Sequence, residues 1–313
     1  TTYKMRVTTG VKDSAGNTLS SQYETSNGFT TTGLFVGVGT DGLILSSPEG
    51  TTWTSRTSEV TTTPFHAITN DNSTFVVTGQ SGKIVTSTDG ISWTSRTSGT
   101  SNSLRGVTHD GVGLFVAVGD SGTILTSSDN GTTWTSRTGT SDNLHSVTHG
   151  NNTYVVVGQG GVLLTSTDGT TWDNRTSGTT IHLYGVTFGN NTFVGGGGNG
   201  DIIRSTDNGT TWDNATSPTE NTHYGVTFGN DTFVAVGATG SIVTSTDNGT
   251  TWDNATSGTT IQRMSISFGN NTFITGGGSV SILTSSDNGS TWTTRDSGIS
   301  SCSIEILGIS YKE

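Results

Sequence analysis

The chain has 313 residues, of which 46 are glycine and only 12% are charged. Its formal net charge is −11 and it contains no cluster of lysine or arginine, which argues against nucleic acid and anionic membrane surfaces as partners. No apolar run is long enough to span a membrane, no apolar signal-peptide segment follows Thr1, and the single cysteine, Cys302, excludes an internal disulfide.

The first 28 residues match no other part of the chain. They contain a strand-like segment from Tyr3 to Val7 and a turn-rich segment from Asp13 to Asn17. Two interpretations remain open: a short hairpin or extended arm without a special role, and a docking element for a partner. The predicted domain organisation is an N-terminal extension or docking arm over residues 1–28, followed by a repeat domain over residues 29–313.

A repeat of about 40 residues fills the rest of the chain. It is marked by seven tryptophans: Trp53, Trp93, Trp134, Trp172, Trp212, Trp252 and Trp292. The sixth copy shows four β-rich runs separated by Gly, Asn and Asp: Tyr224 to Phe228, Thr232 to Gly237, Ser241 to Ser245 and Thr250 to Asn254. The sequence therefore predicts an all-β fold, a seven-bladed β-propeller whose blades are four-stranded antiparallel sheets.

The first copy lacks an innermost strand. The residues before Phe35 do not match the innermost-strand pattern of the other copies, whereas Leu307 to Tyr311, near the C-terminus, do. We expect this C-terminal strand to complete blade 1 and leave the ring without an open edge. Truncation after about residue 300 should then unfold or oligomerise the protein.

Each copy carries a turn motif between its predicted third and fourth strands. Its full form is S-x-D-x-G-x-T-W, as in Ser127 to Trp134; three copies are one residue shorter, and Glu49 replaces the aspartate in the first. An aspartate in a turn accepts hydrogen bonds from nearby backbone N–H groups, glycine tolerates positive φ, and tryptophan supplies buried surface. The motif therefore predicts a locked hairpin in every blade.

This motif resembles that of the Asp-box, or bacterial neuraminidase repeat, family of β-propellers. The resemblance covers Phe29 to the C-terminus and all seven copies, and the composition is similar to the Thr/Asn/Gly-rich type seen in phage structural and bacterial surface proteins. It implies that the aspartates of the motif are folding elements rather than catalysts or metal ligands. The four full motifs contain Asp129, Asp207, Asp247 and Asp287.

The same resemblance raises a sialidase hypothesis. Sialidase chemistry needs three converging arginines, a tyrosine nucleophile paired with glutamate, and an aspartate acid/base. Five arginines occupy one repeated position three residues after the tryptophan: Arg56, Arg96, Arg137, Arg175 and Arg295. Those that remain are Arg6, Arg105, Arg204 and Arg263, and the F/Y-R-I-P motif of the family is absent. We therefore predict no enzymatic activity, no catalytic residues, no cofactor and no metal site.

The copies differ most at the two residues that open each innermost strand, which we expect opposite the turn motifs. The first of these positions holds Phe65, Leu104, Leu144, Leu183, His223, Arg263 and Ile306. The second holds His66, Arg105, His145, Tyr184, Tyr224, Met264 and Leu307. The predicted ligand-binding residues are His66, Arg105, His145, Tyr184, His223, Tyr224 and Arg263. The alternative interpretation is that these side chains only line and fill the channel.

These features predict a non-enzymatic structural or binding propeller in a phage virion or on an extracellular surface. Residues 1–28 would dock onto other virion or surface proteins, and one propeller face would contact a host glycan or protein. A lectin-like module or an assembly factor is the alternative, since the photosystem II assembly factors are also Asp-box propellers. Those factors are expected to carry a basic patch that this acidic chain lacks. A sialidase-like glycosidase is the third hypothesis.

Overall fold

The computed structural model describes residues 2–3, 6–7, 23–24, 29–30, 33–58, 62–71, 73–301 and 303–313. Contacts divide the chain into two compact units, Thr1–Gly33 with Glu313, and Leu34–Lys312. The predicted turn over residues 13–17 and Cys302 lie outside the described residues. Within the described residues, no helix is long and apolar enough to cross a membrane.

The described part of the first unit consists of two short antiparallel strand pairs. Thr2–Tyr3 pairs with Phe29–Thr30, and Arg6–Val7 pairs with Tyr23–Glu24. The second pair is nested in sequence inside the first, as in a hairpin. Strands therefore occupy both ends of the segment predicted as strand-like, and the docking role of residues 1–28 stays a prediction.

The second unit contains seven four-stranded antiparallel sheets, the blades. The innermost strands, from blade 1 to blade 7, are Ile306–Lys312, Phe65–Asn70, Leu104–His109, Leu144–Gly150, Leu183–Gly189, His223–Gly229 and Arg263–Gly269. The second strands are Leu34–Gly39, Phe75–Gly79, Phe115–Gly119, Thr153–Gly158, Thr192–Gly197, Thr232–Gly237 and Thr272–Gly277. The predicted seven-bladed all-β fold is confirmed.

The outer half of each blade is made of two shorter strands. The third strands are Ile44–Ser47, Ile84–Ser87, Ile124–Ser127, Leu163–Ser166, Ile202–Ser205, Ile242–Ser245 and Ile282–Ser285. The outermost strands are Thr54–Arg56, Thr94–Arg96, Thr135–Arg137, Asp173–Asn174, Asp213–Ala215, Asp253–Ala255 and Thr293–Arg295. A 3₁₀ turn joins the second strand to the third: Thr40–Gly42, Gln80–Gly82, Asp120–Gly122, Gln159–Gly161, Gly198–Gly200, Ala238–Gly240 and Gly278–Val280.

The C-terminal strand closes the ring as predicted. Ile306–Lys312 pairs with Leu34–Gly39 as the innermost strand of blade 1, and contacts the innermost strands of blades 2 and 7. The Asn70 amide of blade 2 donates to the Ser310 hydroxyl and to the Tyr311 carbonyl, both at 2.8 Å. The first and last parts of the propeller chain thus share one sheet and have no free edge between them.

The hydrophobic core lies between neighbouring blades. At the interface of blades 1 and 2, for example, Val36 and Val38 pack with Phe65, Val77 and Trp93, all at most 5% exposed. An equivalent cluster fills each of the seven blade interfaces of the described propeller. Second and third strands are buried on both faces, so a chain with 28% hydrophobic residues still builds a continuous core.

The turn motifs form the predicted hairpins. In blade 3, Asp129 accepts hydrogen bonds from the Thr133 backbone N–H at 2.9 Å and the Thr133 hydroxyl at 2.6 Å, while Ser127 Oγ accepts one from Gly131 N. The Trp134 indole donates to the Gly131 carbonyl at 3.0 Å. The side-chain and backbone hydrogen bonds from Thr133 lower the pKa of Asp129 to about 2. These bonds occupy the carboxylate within its own turn, which we call the aspartate hairpin.

Candidate binding site at the channel mouth

The variable residues lie at the opposite end of the ring from the aspartate hairpins. In blade 3, Leu104 at the start of the innermost strand pairs with Gly119, and Ile124 pairs with Arg137. Phe115 pairs with Ser127 at the other end, from which the aspartate hairpin continues. The predicted placement at opposite ends is confirmed. We call the end where the innermost strands begin the channel mouth.

A β-bulge sets the direction of the variable side chains. In all seven blades the register between the first and second strands shifts by one residue at the second residue of the innermost strand. The bulged residues are His66, Arg105, His145, Tyr184, Tyr224, Met264 and Leu307. Together with the two residues that follow each of them, they line a single cavity of about 220 Å³ on the channel axis.

The 3₁₀ turns hold the starts of the innermost strands in place. In blade 3, the backbone N–H of Asp120 donates to the carbonyl of Ser103, just before the innermost strand, at 2.9 Å. The approach is so close that a Cβ on Gly119 would lie 2.0 Å from that carbonyl oxygen. Only glycine therefore fits at the end of the second strand, and the mouth is built on a rigid frame.

Aromatic side chains of blades 4 to 6 form one cluster at the mouth. The rings of His145 and Tyr184 are stacked, with centroids 5.2 Å apart and planes 8° apart. Tyr224 meets Tyr184 edge-on at 5.5 Å, and His182 meets His145 edge-on at 6.2 Å. Stacked and edge-on contacts of this kind add to the burial energy and fix the orientation of the rings.

Two histidines at the mouth have a defined hydrogen-bonding state. His66 Nδ1 donates to the Leu104 carbonyl at 3.2 Å, and His145 Nδ1 donates to the Leu183 carbonyl at 2.9 Å. A carbonyl oxygen can only accept, so the proton of the neutral ring is on Nδ1 and Nε2 carries a lone pair. Burial lowers the pKa of both histidines below 6.5, and the nearby Arg105 acts in the same direction.

Arg105 is paired rather than free at the mouth. Its Nη2 donates to Asp120 at 3.2 Å, and its Nε donates to the other oxygen of the same carboxylate. Asp120 belongs to the 3₁₀ turn of the same blade, and the side chains are 42% and 26% exposed. This two-point contact holds the guanidinium against its own blade and neutralises its charge.

Two of the predicted ligand-binding residues do not reach the channel. His223 and Arg263 are both fully buried, and neither lines the cavity. Each precedes the bulge, at the position where other blades bury an apolar residue such as Leu104 in the interface between blades. The predicted placement of His223 and Arg263 on the recognition surface is therefore wrong, since the bulge exposes only the residue after them.

These two buried side chains are only partly satisfied. His223 Nε2 lies 3.2 Å from the Ser217 hydroxyl, its Nδ1 has no partner, and burial lowers its pKa to about 4. Arg263 donates to the carbonyls of Ile261 and Ser281 at 3.1 and 3.2 Å, and burial lowers its pKa to about 10. Each of these side chains lies inside its blade, and burying its unpartnered nitrogen lowers the free energy of unfolding.

The structure adds residues that the alignment of innermost strands did not find. His182 comes from the connection before the innermost strand of blade 5, and Asp120 from a 3₁₀ turn. The connection that contains His182 and the turn that contains Asp120 both vary in sequence from blade to blade, and this variability could have indicated the two residues. Among the described residues, no group of three or more His, Cys, Asp and Glu side chains could hold a metal ion.

These observations define the class of protein: a closed seven-bladed β-propeller with one diversified channel mouth. The family model described as the DUF6242 beta propeller domain matches residues 25–144, 126–223 and 185–302, and the chain belongs to this family. A comparison with curated protein sequences finds no match.

Several solved structures share the fold at low sequence identity. YCF48 from Cyanidioschyzon merolae is 15% identical with a TM-score of 0.61, over 79% of this chain and 94% of that one. YCF48 bound to a D1 peptide is 16% identical with a TM-score of 0.62, over 78% and 90%. The computationally designed Ika8 protein is 14% identical with a TM-score of 0.65, over 90% and 87%. At these identities the likeness concerns the fold alone.

Proposed function

We propose that this protein is a non-enzymatic binding propeller that contacts its partner at the channel mouth. The observation that carries the proposal is the convergence of seven bulged residues on one cavity, where they differ from blade to blade on an otherwise repeated frame. The hairpins repeat in every blade, whereas the residues at the mouth vary between blades. A scaffold that displays a binding surface needs this combination of a constant frame and variable surface residues. Five of the predicted ligand-binding residues line this cavity, and we propose that they contact the partner: His66, Arg105, His145, Tyr184 and Tyr224.

The chain path supports a role in a virion or on a cell surface. The propeller begins at Leu34 and its last strand ends at Lys312, and these two residues pair at the aspartate-hairpin end. The propeller chain thus begins at the end of the ring opposite the channel mouth. Residues 1–28 would dock onto another virion or surface protein, and the mouth would contact a host glycan or protein.

A second candidate function is that of a soluble assembly factor or lectin-like module. It is favoured by the fold shared with YCF48, which was solved with a D1 peptide bound. A sialidase-like activity has less support. Arg263 is buried, Arg105 is paired with Asp120, and Arg204 points to the Asn248 carbonyl and the Thr250 hydroxyl of the next blade. The arginines of the described propeller thus do not converge on one substrate carboxylate.

The test is a glycan array run in parallel with a peptide array and a fluorogenic sialoside assay. We expect retention of a ligand without turnover of the sialoside, and loss of retention in His145→Ala, Tyr184→Ala and Tyr224→Ala. Val112→Ser is the matched control, because Val112 is 91% exposed at the aspartate-hairpin end. Retention that is unchanged in all three mouth variants would refute the site, and flanking capsid or tail genes would support the virion role.

A further inference from the structure

We propose that the channel mouth recognises a protein segment through a basic side chain, lysine or arginine. This inference rests on the proposed binding function and names the chemistry of the partner. It follows from four features of the mouth: hydrogen-bond acceptors without partners, aromatic faces, an apolar arc and carboxylates at the same end of the ring. Each of them suits one part of a lysine or arginine side chain.

The first feature is a pair of imidazoles held as acceptors. Nδ1 of His66 and of His145 is committed to a backbone carbonyl, so Nε2 of each ring presents a lone pair. Neither Nε2 atom has a hydrogen-bond partner among the described residues, although both rings line the cavity. A ligand that fills this cavity must supply N–H or O–H donors. Ammonium and guanidinium groups are donors only.

The second feature is the aromatic cluster of Tyr184 and Tyr224, which borders the same cavity. A cation near the face of a tyrosine ring gains about 0.5–2 kcal/mol, more when water is excluded. Met264 and Leu307, the bulged residues of blades 7 and 1, form the third feature, an apolar arc beside these rings. A basic side chain has an aliphatic stem that suits this arc and a charged head that suits the aromatic one.

The fourth feature is the sign of the charge at this end of the ring. Around the mouth, Asp41 and Asp120 lie in 3₁₀ turns and Glu305 immediately precedes the innermost strand of blade 1. Arg105 is already paired and Arg263 is fully buried. The other cations at this end are Lys83 and the arginines of the outermost strands, such as Arg137. An anionic ligand would meet lone pairs and carboxylates, whereas a cationic one is attracted by both.

The histidines make this recognition sensitive to acid. The charged groups that face His66 are Arg105 and Asp120; those that face His145 are Arg105, His182 and Asp120. Because burial lowers the pKa of both rings below 6.5, both are neutral acceptors at neutral pH. As the pH falls through the lowered pKa of each ring, its Nε2 gains a proton and becomes a positively charged donor. Affinity for a basic side chain is then lost.

The experiment uses the full chain and an array of random decapeptides near neutral pH, with Tyr184→Ala/Tyr224→Ala as the site variant and Val112→Ser as the control. Peptides retained by the wild type and the control, but not by the site variant, should be enriched in Lys and Arg over Asp and Glu. Replacing the basic residue of the best peptide by glutamine should weaken binding about fivefold or more. Lowering the pH stepwise from 7, through the lowered pKa of the two histidines, should weaken it about tenfold.

The variant His145→Phe tests the contribution of the histidine to binding, because phenylalanine keeps an aromatic ring at this position and lacks the Nε2 acceptor. It should weaken binding and reduce the acid sensitivity, whereas wild-type acid sensitivity in this variant would contradict the role of Nε2. Retained peptides with no basic preference, or a retained neutral glycan instead, would overturn the inference and leave the binding site standing. Equal retention by the wild type and the site variant would overturn both.

Discussion

The buried His223 makes a quantitative prediction about stability. Its side chain is fully buried at a position where blades 3, 4 and 5 have Leu104, Leu144 and Leu183. Replacing it by leucine, His223→Leu, keeps the shape that the fold already uses and removes the titrating group. The Ser217 hydroxyl retains a partner in the variant, because it also donates to the Thr219 carbonyl at 3.0 Å.

The magnitude follows from the lowered pKa. Burial takes the pKa of His223 from 6.5 to about 4, so the unfolded chain binds a proton in this window and the folded one does not. The contribution to stability is complete above pH 6.5 and is lost as the pH falls toward 4. A difference of about two and a half pKa units corresponds to about 3 kcal/mol in full, and to about 2 kcal/mol between pH 7 and pH 5.

The assay is chemical unfolding of the wild type and of His223→Leu at pH 7 and pH 5, followed by tryptophan fluorescence. Other buried histidines titrate in both proteins, so the quantity of interest is the difference between them. We expect the variant to gain about 2 kcal/mol on the wild type when the pH is lowered. If the two proteins lose stability in parallel, His223 is not held neutral by burial and the reasoning is refuted.

Three further predictions concern the frame. Deletion of residues 306–313 should abolish cooperative unfolding and produce oligomers. A peptide of residues 304–313, added separately, should restore the monomer. A stable monomeric deletion variant would contradict closure by this strand. Asp129→Ala should lower the free energy of unfolding by about 1–2 kcal/mol, because three hydrogen bonds are lost. Asp253→Ala, at an exposed position, is the control and should lower it little. Equal values for the two variants would show that the hairpin carboxylate is dispensable. Gly119→Ala should cost about 2 kcal/mol or more, since its Cβ would meet the Ser103 carbonyl, and a melting temperature within error of the wild type would contradict that close approach.

The fold could be predicted from the sequence because its determinants are local and repeated. The tryptophan period sets the number of blades, and the unmatched strand from Leu307 to Tyr311 has one place to pair. Hairpins such as that of Asp129 are formed by residues within eight positions of one another. Sequence reasoning works well where every interaction is short in range and present in several copies.

The candidate site was predicted only in part, and one structural detail explains the difference. The alignment gave two adjacent variable positions equal weight, but the bulge sends Tyr224 to the channel and leaves His223 in the interface between blades. A shift of one residue reverses the face that a side chain occupies. The amino-acid sequence of the repeat contains no pattern that predicts the bulge. His182 and Asp120 reach the mouth from connections, whose geometry the strand alignment does not contain.

The shared sheet of blade 1 also orders events during synthesis. Leu34–Arg56 is synthesised as three strands of a blade with an exposed edge, while Ile306–Lys312 is made more than 200 residues later. Until then the nascent ring is an open arc that displays two unsatisfied surfaces, one on blade 1 and one on blade 7. The outermost strands, such as Thr54–Arg56, are polar and largely exposed, so they add no further apolar surface to these two while the last strand is still being translated.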